Sequence, residues 1–476
     1  MRQLNGEQAE WAREEFGNAK LGDSRRMTRL INMAARAAQR PSGKISEVFA
    51  EEKERQGAYD LLEEGHVSSD ALLLALGETA AARAAAEPFA FVAIDGSSLS
   101  LVDRTGRKGF GSVGSLKEGG SGLKVISALG ISPEGVPLGL FAQVWWARTQ
   151  AQSHPNRSQK RKRNRKRKVT EKETRHWLNS IDDASARARQ TDAKLWFQLD
   201  READNYDILL KLAETEQRFT VRSSWDRLIE TTGKDKQYLR GWLSREAPGG
   251  QYSINVTAGP NRSARSAHMV VRWANVTLRL RNQRGKGERL LKVTAVWARE
   301  EGTYPVGEKP LDWLLLTNAS VSTFEEAQYV IFGYTLRWRI EEFHKTWKTG
   351  ACNVEQTQLR SQRAVILWAT ILAAVAARIE RLKTLSRTTP EQPASVELTP
   401  HEIRALILLK RQIKKRNEHI PDAMPSIGQA TLWIAELGGY TGKSSGGPPG
   451  SITIRRGLDQ LRPAARLLHA LEAERK

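Results

Sequence analysis

The sequence predicts an α/β protein: a mixed sheet with helices on its faces, flanked by helical N- and C-terminal regions and interrupted by a β-rich insertion. Three observations predict it. Up to about residue 85 the apolar residues recur at helical spacing. From residue 89 short β-rich runs alternate with turns and one helical stretch. From residue 362 the pattern is helical again.

In the first region, "LGDSRRMTRLINMAARAAQR" has Asp23 as its expected N-cap. Leu30, Met33 and Ala34 share an apolar face, and Arg25, Arg26 and Arg29 form a basic edge. A charged helix edge is ordinarily just solvated. In a basic N-terminal domain, helix-borne arginines also suit contacts to a DNA backbone or groove.

In the second region, "FAFVAIDGSSLSL" follows Pro88 as a strand. "LKVISALGIS" and "GVPLGLFAQVWW" read as two more strands, joined by the turn "SPEG". "AKLWFQLD" is another apolar run, "DREADNYDILLKLAE" reads as helix and "RFTVRSSW" as strand. Strands, a crossover and further strands predict the mixed sheet. Between about 226 and 318 the alternating runs "YSINVTA", "MVVRWANVTLRLR" and "LLKVTAVWARE" mark the insertion. "STFEEA" then signals a helix start near Ser322. The expected domains are 1–85, 86–361 with the insertion inside it, and 362–476, the last carrying a break at "TGKSSGGPPGS".

Composition narrows the function. Lys plus Arg is 75 against 54 Asp plus Glu, giving +21 and a pI near 10.1. Such a balance points to a polyanionic partner, with nucleic acid ahead of a membrane surface. The longest apolar run, "AVILWATILAAVAA", is too short to span a bilayer and reads as a buried helix. The polar, acidic N-terminus does not read as a signal peptide. A single cysteine, Cys352, excludes a disulfide framework and fits a reducing cytoplasm. The run "RSQKRKRNRKRK" at 157–168 holds nine Lys or Arg and no acid. Without those nine charges +12 remains, so basicity is a property of the whole chain. The run reads as a loop that meets phosphate non-specifically.

Candidate chemistry centres on "YTLRWRIEEFHKTWKTG". On a helix, Tyr334, Arg337, Glu341, Lys345 and Lys348 fall within an arc of roughly 80°. Leu336, Ile340, Phe343 and Trp347 lie opposite as a core stripe. One carboxylate is thus framed by a phenol and three cations. Two apolar strands each end in an aspartate, "FVAID" at Asp95 and "LWFQLD" at Asp200, and sites form where strands of helix-covered sheets end. Spacing does not choose among Asp200, Glu202 and Asp204. Three carboxylates with few His and no Cys set are hard oxygen ligands that suit Mg²⁺ or Mn²⁺, not zinc. Two such ions, about 3.5–4 Å apart, can activate a water or a 3′-OH and stabilise the leaving oxygen at phosphorus. The cations beside Glu341 would hold the phosphate. Trp313 in "LDWLLLTN" reads as core or as a stacking platform for an unstacked base. "GFGSVG" satisfies a dinucleotide pattern but opens no helix, so it reads as a hairpin loop.

These residues resemble the Tyr-(2)-Arg-(3)-Glu-(6)-Lys signature of the insertion-sequence transposases related to that of transposon five. Here the signature falls on Tyr334, Arg337, Glu341 and Lys348. The resemblance extends in order through "LGDSRRMTRL", "GAY", "IDGSSLS", "QVWWAR", "DREAD", "RFTVRS", "PLDWLLLT" and "IAELGGY". It implies a ribonuclease-H-like catalytic core with a β insertion, an N-terminal DNA-binding domain and a C-terminal dimerisation region. It implies Asp95, Asp200 and Glu341 as the catalytic, metal-holding triad. It places a flipped base on Trp313, the DNA end near Arg222, and terminal phosphates on Tyr334, Arg337, Lys345 and Lys348. Family members act as homodimers in a synaptic complex of paired transposon ends, cut through a hairpin intermediate and join the 3′-OH to target DNA.

Two features depart from the pattern. Asp60 stands where the family has a basic, DNA-contacting residue after Ala-Tyr, and the run at 157–168 is longer and more basic than usual. Two rival functions compete: a catalytically silent, transposase-derived DNA-binding regulator, and a ribonuclease-H-like nuclease without strand transfer. The complete acid set argues against the first, and the helical regions at both ends of the chain argue against the second.

Overall fold

Five helices open the chain: α1 (Glu7–Phe16), α2 (Ser24–Gln39), α3 (Ile45–Val48), α4 (Glu52–Glu63) and α5 (Ser69–Ala85). Four strands follow, β1 (Ala90–Ser100), β2 (Gly111–Val113), β3 (Gly120–Ile131) and β4 (Pro137–Trp146). Next come α6 (Thr174–Thr191), β5 (Leu195–Leu199), α7 (Tyr206–Glu214) and β6 (Arg218–Arg222). Then the chain is mostly strand: β7 (Leu228–Ile229), β8 (Gln237–Tyr238), the short helix α8 (Leu239–Leu243), β9 (Gly250–Val256), β10 (Arg265–Arg281), β11 (Glu288–Glu300) and β12 (Asp312–Thr317). The rest is helical: α9 (Phe324–Leu336), α10 (Trp338–Lys348), α11 (Gln362–Thr388), α12 (Pro400–Ile413), α13 (Ile427–Leu437) and α14 (Ser451–Glu474). This computed structural model describes residues 7–63, 65, 67–114, 120–148, 167–232, 235–259, 262–282, 287–414, 416–442 and 447–474. Most of the basic run, residues 157–166, lies outside the described residues.

The chain divides into two compact units. One comprises residues 89–95 and 151–338; the other comprises 1–88, 96–150 and 339–476. In the first, the strand order is β1-β5-β6-β12-β11-β10-β7-β8, with β9 on the side of β10. β1, β5 and β6 are parallel, and the pairs from β6 through β10 are antiparallel. The sheet is therefore mixed, as the sequence predicts. Where β1 and β5 pair, both are buried (Ala90 to Ile94, and Leu195 to Leu199), so they read as continuous apolar runs rather than alternating ones. α9 lies close over β1 at Gly333, where an added Cβ would come within 2.5 Å of the Phe91 ring. The β10–β11 ribbon pairs over thirteen residues, from Met269↔Glu300 to Arg281↔Glu288.

In the second unit β3 pairs antiparallel with β2 and with β4. "GFGSVG" supplies β2, and the next element among the described residues is its antiparallel partner β3, in keeping with a hairpin. "SPEG" makes its turn through a bond from the Gly135 N–H to the Ser132 carbonyl at 2.9 Å. "AVILWATILAAVAA" lies inside α11, with every residue but Ile366 buried. Its Trp368 donates to the Gly43 carbonyl at 3.1 Å, tying the N-terminal helices to α11. No helix among the described residues is long and apolar enough to cross a membrane. A further core joins α11, α12, α13 and α14 around Leu406, Trp433 and Ile434.

Two local expectations are corrected. The stretch from Ser322 to Gly350 forms two helices rather than one. α9 is capped by Thr323 in a capping box with Glu326, and it ends at Leu336. Arg337 keeps helical dihedrals, yet its N–H turns to the Tyr334 carbonyl three residues back, which breaks the four-residue ladder. Likewise "DREAD" is no helix. Arg201–Ala203 form a 3₁₀ turn capped by Asp200, and α7 starts only after Asn205, which caps it through the Ile208 N–H at 3.0 Å.

Candidate active site

The parallel pairing of β1 and β5 runs from Ala90↔Leu195 to Ile94↔Leu199. The next residue on each strand is an aspartate. Asp95 and Asp200 therefore lie side by side where the parallel pairing stops: Asp200 just past the end of β5, as expected, but Asp95 within β1, which runs on to Ser100 rather than ending at the aspartate. Asp95 is 8% exposed and accepts a bond from Arg337 Nη1 at 3.1 Å. Asp200 is half-buried, and its Oδ1 accepts the Glu202 N–H at 2.8 Å.

The acids near Asp200 take separate roles, which spacing did not decide. Glu202 is exposed. Asp204 is 3% exposed and ion-paired with Arg227, and its Oδ2 accepts the Ser224 N–H at 2.6 Å. Asp204 is thus a structural pin, and Asp200 is the acid left at the strand end.

Around this pair the sheet unit gathers four more of the expected residues. Tyr334 is 7% exposed and faces inward. The wheel had placed it on a surface stripe, but the packing of α9 turns it into the unit. Its ring lies 6.0 Å below the Arg337 guanidinium and 6.4 Å from the Trp313 ring. Tyr334 also hydrogen-bonds Arg222. Burial pulls the Arg222 guanidinium below its ordinary value; Tyr334 pushes it up, and Arg201 pushes it down. Arg222 Nη2 donates to the Asp312 carbonyl at 2.8 Å, while its buried Nε finds no acceptor among the described residues. Trp313 is half-buried rather than core. Its neighbour Asp312 is held by Arg240 at 2.7 Å and by the Trp297 indole N–H at 2.8 Å.

In the other unit α10 carries Glu341, Lys345 and Lys348. Ile340, Phe343 and Trp347 on its opposite face are fully buried, and Trp347 donates to the Ala369 carbonyl at 2.9 Å. Of the adjacent glutamates, Glu342 is committed to structure. It pairs with Arg339 at 2.8 Å and Lys383 at 3.2 Å. Burial raises its carboxyl, but those two cations outweigh it and hold the group below its ordinary value. Glu341 is half-buried and shares its helix face with His344, three residues on, and their ligand atoms lie within 4.8 Å of each other. His344 is not among the residues expected from the sequence; the signal for it is the Glu-x-x-His spacing of Glu341 and His344. Lys345 is exposed, and Lys348 lies 3.8 Å from Glu355.

The N-terminal arginines differ among themselves. Arg25 is almost wholly exposed and pairs with Asp23 at 3.1 Å. Arg26 folds onto the Leu21 carbonyl at 3.1 Å. Arg29 lies 3.9 Å from Asp60, the acid that departs from the family pattern.

The donor set suits a divalent ion. Carboxylate oxygens dominate it, and the one thiol, Cys352, is fully buried with its ionisation suppressed by burial. A carboxylate pair at the end of the parallel β1–β5 pairing, with arginine and aromatic rings beside it, has the donor chemistry that metal-assisted phosphoryl transfer uses. Comparison with known families makes the class specific. Residues 8–67 match the transposase DNA-binding family, residues 138–377 the transposase DDE domain, and residues 374–466 the transposase Tn5 dimerisation domain. The DDE match spans just over half of the chain, and with the other two it shows that the chain belongs to the Tn5-type transposases. The protein is accordingly a cut-and-paste transposase with a ribonuclease-H-like core, which binds DNA, forms homodimers and uses divalent metal. Asp200 and Glu341 fall within the DDE match, and Asp95 precedes it. The link from Asp95 to the site is its place beside Asp200 in the sheet.

Proposed function

We propose that the chain cleaves DNA at transposon ends and joins the freed 3′-OH to target DNA, with Asp95, Asp200 and Glu341 as its catalytic acids. The observation that carries the reading is the β1–β5 register, which sets two aspartates side by side where the parallel pairing stops. The three acids would hold Mg²⁺, or Mn²⁺ in its place, as two ions per site. Bound there, the ions would supply Lewis-acid stabilisation of charge at phosphorus.

The chain's own residues do the remaining work. Arg337 holds the Asp95 carboxylate in one orientation. Arg222, whose buried Nε has no acceptor among the described residues, would take a phosphate oxygen. Trp313, half-exposed beside Tyr334, offers a face to a flipped base. Lys345 and Lys348 would bind terminal phosphates one and two turns beyond Glu341, and Arg25, Arg26 and Arg29 would meet the DNA backbone. In this scheme water nicks one strand, the 3′-OH closes a hairpin, and the reopened 3′-OH attacks target DNA. Residues 1–85 would bind the ends, 86–361 catalyse, and 362–476 dimerise within a synaptic complex.

The test is purified protein with Mg²⁺ and linear DNA carrying its element's own ends, run on a denaturing gel beside Glu341→Ala. Boundary nicks, hairpins and joined products are expected with the intact chain and absent in the variant. Binding without cleavage in either metal would overturn the proposal in favour of a silent regulator. Cleavage without joined products would favour a nuclease.

A further inference from the structure

Trp225 is left unexplained by the site described above. Its indole is 65% exposed. It sits in "RSSWDR", directly after β6, and the residues on both sides of it are fixed. Ser224 N–H donates to Asp204 Oδ2 at 2.6 Å, and Ser224 Oγ to the Arg201 carbonyl at 2.9 Å. Ser223 Oγ lies 3.0 Å from the carbonyl of Trp225 itself. On the far side, Arg227 Nε donates to Asp204 Oδ1 at 3.1 Å, and Asp226 Oδ1 accepts the Arg240 N–H at 2.9 Å. Asp204 and Arg227 form a buried ion pair, so the loop is held from within. The indole is therefore presented to solvent from a rigid loop rather than exposed by loose packing.

The loop is also tied to the catalytic strand. Asp204 ends the turn that Asp200 caps, so the pins that set Trp225 start from that same turn. Arginines belong to the same turn and loop: Arg201, whose carbonyl accepts from Ser224 Oγ, and Arg222 and Arg227, three residues before and two after the indole in the chain. An exposed aromatic ring among arginines is the chemistry that binds unpaired nucleic acid. The ring stacks on any base face while the guanidinium groups take the phosphates.

We propose that Trp225 is a stacking platform for an unpaired base of the DNA strand held at the Asp95–Asp200 pair. It is separate from Trp313, which packs near Tyr334. The inference rests on the transposase reading and adds a second aromatic contact to it. Stacking is sequence-tolerant, so Trp225 favours opened DNA over paired DNA whatever the bases.

The experiment uses the full chain, Trp225→Ala and Trp225→Phe, with binding measured in EDTA. The probe is the element's own end as a duplex, either fully paired or with its terminal base pairs mismatched. Trp225→Ala is expected to bind the mismatched end about 5- to 150-fold more weakly, with a smaller loss on the paired end. Trp225→Phe should keep most of the affinity, and both variants should melt with the parent. Equal affinity of parent and Trp225→Ala for the mismatched end overturns the proposal, as does an equal loss on both probes. Unchanged DNA affinity with a weakened dimer in sedimentation also overturns it, by assigning the indole to a second copy. Because binding is read without divalent ion, it reports on Trp225, whereas cleavage in Mg²⁺ reports on the transposase reading.

Discussion

Arg337 Nη1 lies 3.1 Å from Asp95 Oδ2, a bond between residues 242 apart in the chain. Both side chains are nearly buried. Removing one partner of such a pair strands the other charge, at a cost of about 3–5 kcal/mol. Arg337→Ala is expected to lose that much in denaturant melts and to lose strand cleavage. A change below about 1 kcal/mol would mean that the pair is solvated and that Arg337 does not hold Asp95.

Asp200 and Asp204 should separate chemistry from structure. Asn caps a turn about as well as Asp, so Asp200→Asn should leave stability within about 0.5 kcal/mol of the parent while abolishing cleavage. Asp204→Asn removes the charge opposite buried Arg227 and should destabilise by about 3–5 kcal/mol. Paired thermal melts and cleavage assays read both effects. The reverse pattern would exchange the two roles.

Close helix contact in the dimerisation region can be tested at Gly457. A Cβ there would sit 1.7 Å from the Ile434 carbonyl oxygen, so α13 and α14 meet through backbone. Neither backbone can yield cheaply. Gly457→Ala should destabilise by at least about 1–3 kcal/mol and weaken the dimer, as read by melting and sedimentation. An unchanged melt would place the helices farther apart.

His176 supplies a pH dependence. Burial first, then the charge of Arg175, lowers its pKa from 6.5 to about 4. A histidine depressed in the folded state stabilises the fold fully above its unfolded pKa. That contribution falls as pH drops from about 6.5 towards 4, where the folded state must protonate. His176→Gln should therefore flatten the stability profile across that window relative to the parent. Parallel profiles would show that His176 is solvated.

Asp60 restrains Arg29 across a partly exposed gap of 3.9 Å, a pair worth little to stability. Asp60→Ala should leave the melt unchanged and free Arg29 for phosphate. DNA affinity should rise, and the slope of log affinity against log salt should steepen by about 1. Identical slopes would remove Arg29 from the DNA contacts.

Much of the fold was legible in the sequence because period and punctuation are local properties. The Asp23 cap, the Thr323–Glu326 box and the buried runs of β1 and β5 are each set by neighbours in the chain. The core stripe Ile340, Phe343 and Trp347 follows from helical spacing and is buried as expected. The break at Arg337 was not legible, because Arg337's dihedrals stay helical and only its hydrogen-bond partner changes.

By itself, the sequence determined the α/β class, the basic character of the chain and the set of candidate acids, since these depend on residue type and spacing. Tertiary structure decided which acid is which. Asp204 is consumed by Arg227, and Glu342 by Lys383 and Arg339, because burial allows a charge only beside its counter-charge. Register between two strands far apart in the chain set Asp95 beside Asp200, and no local spacing encodes that.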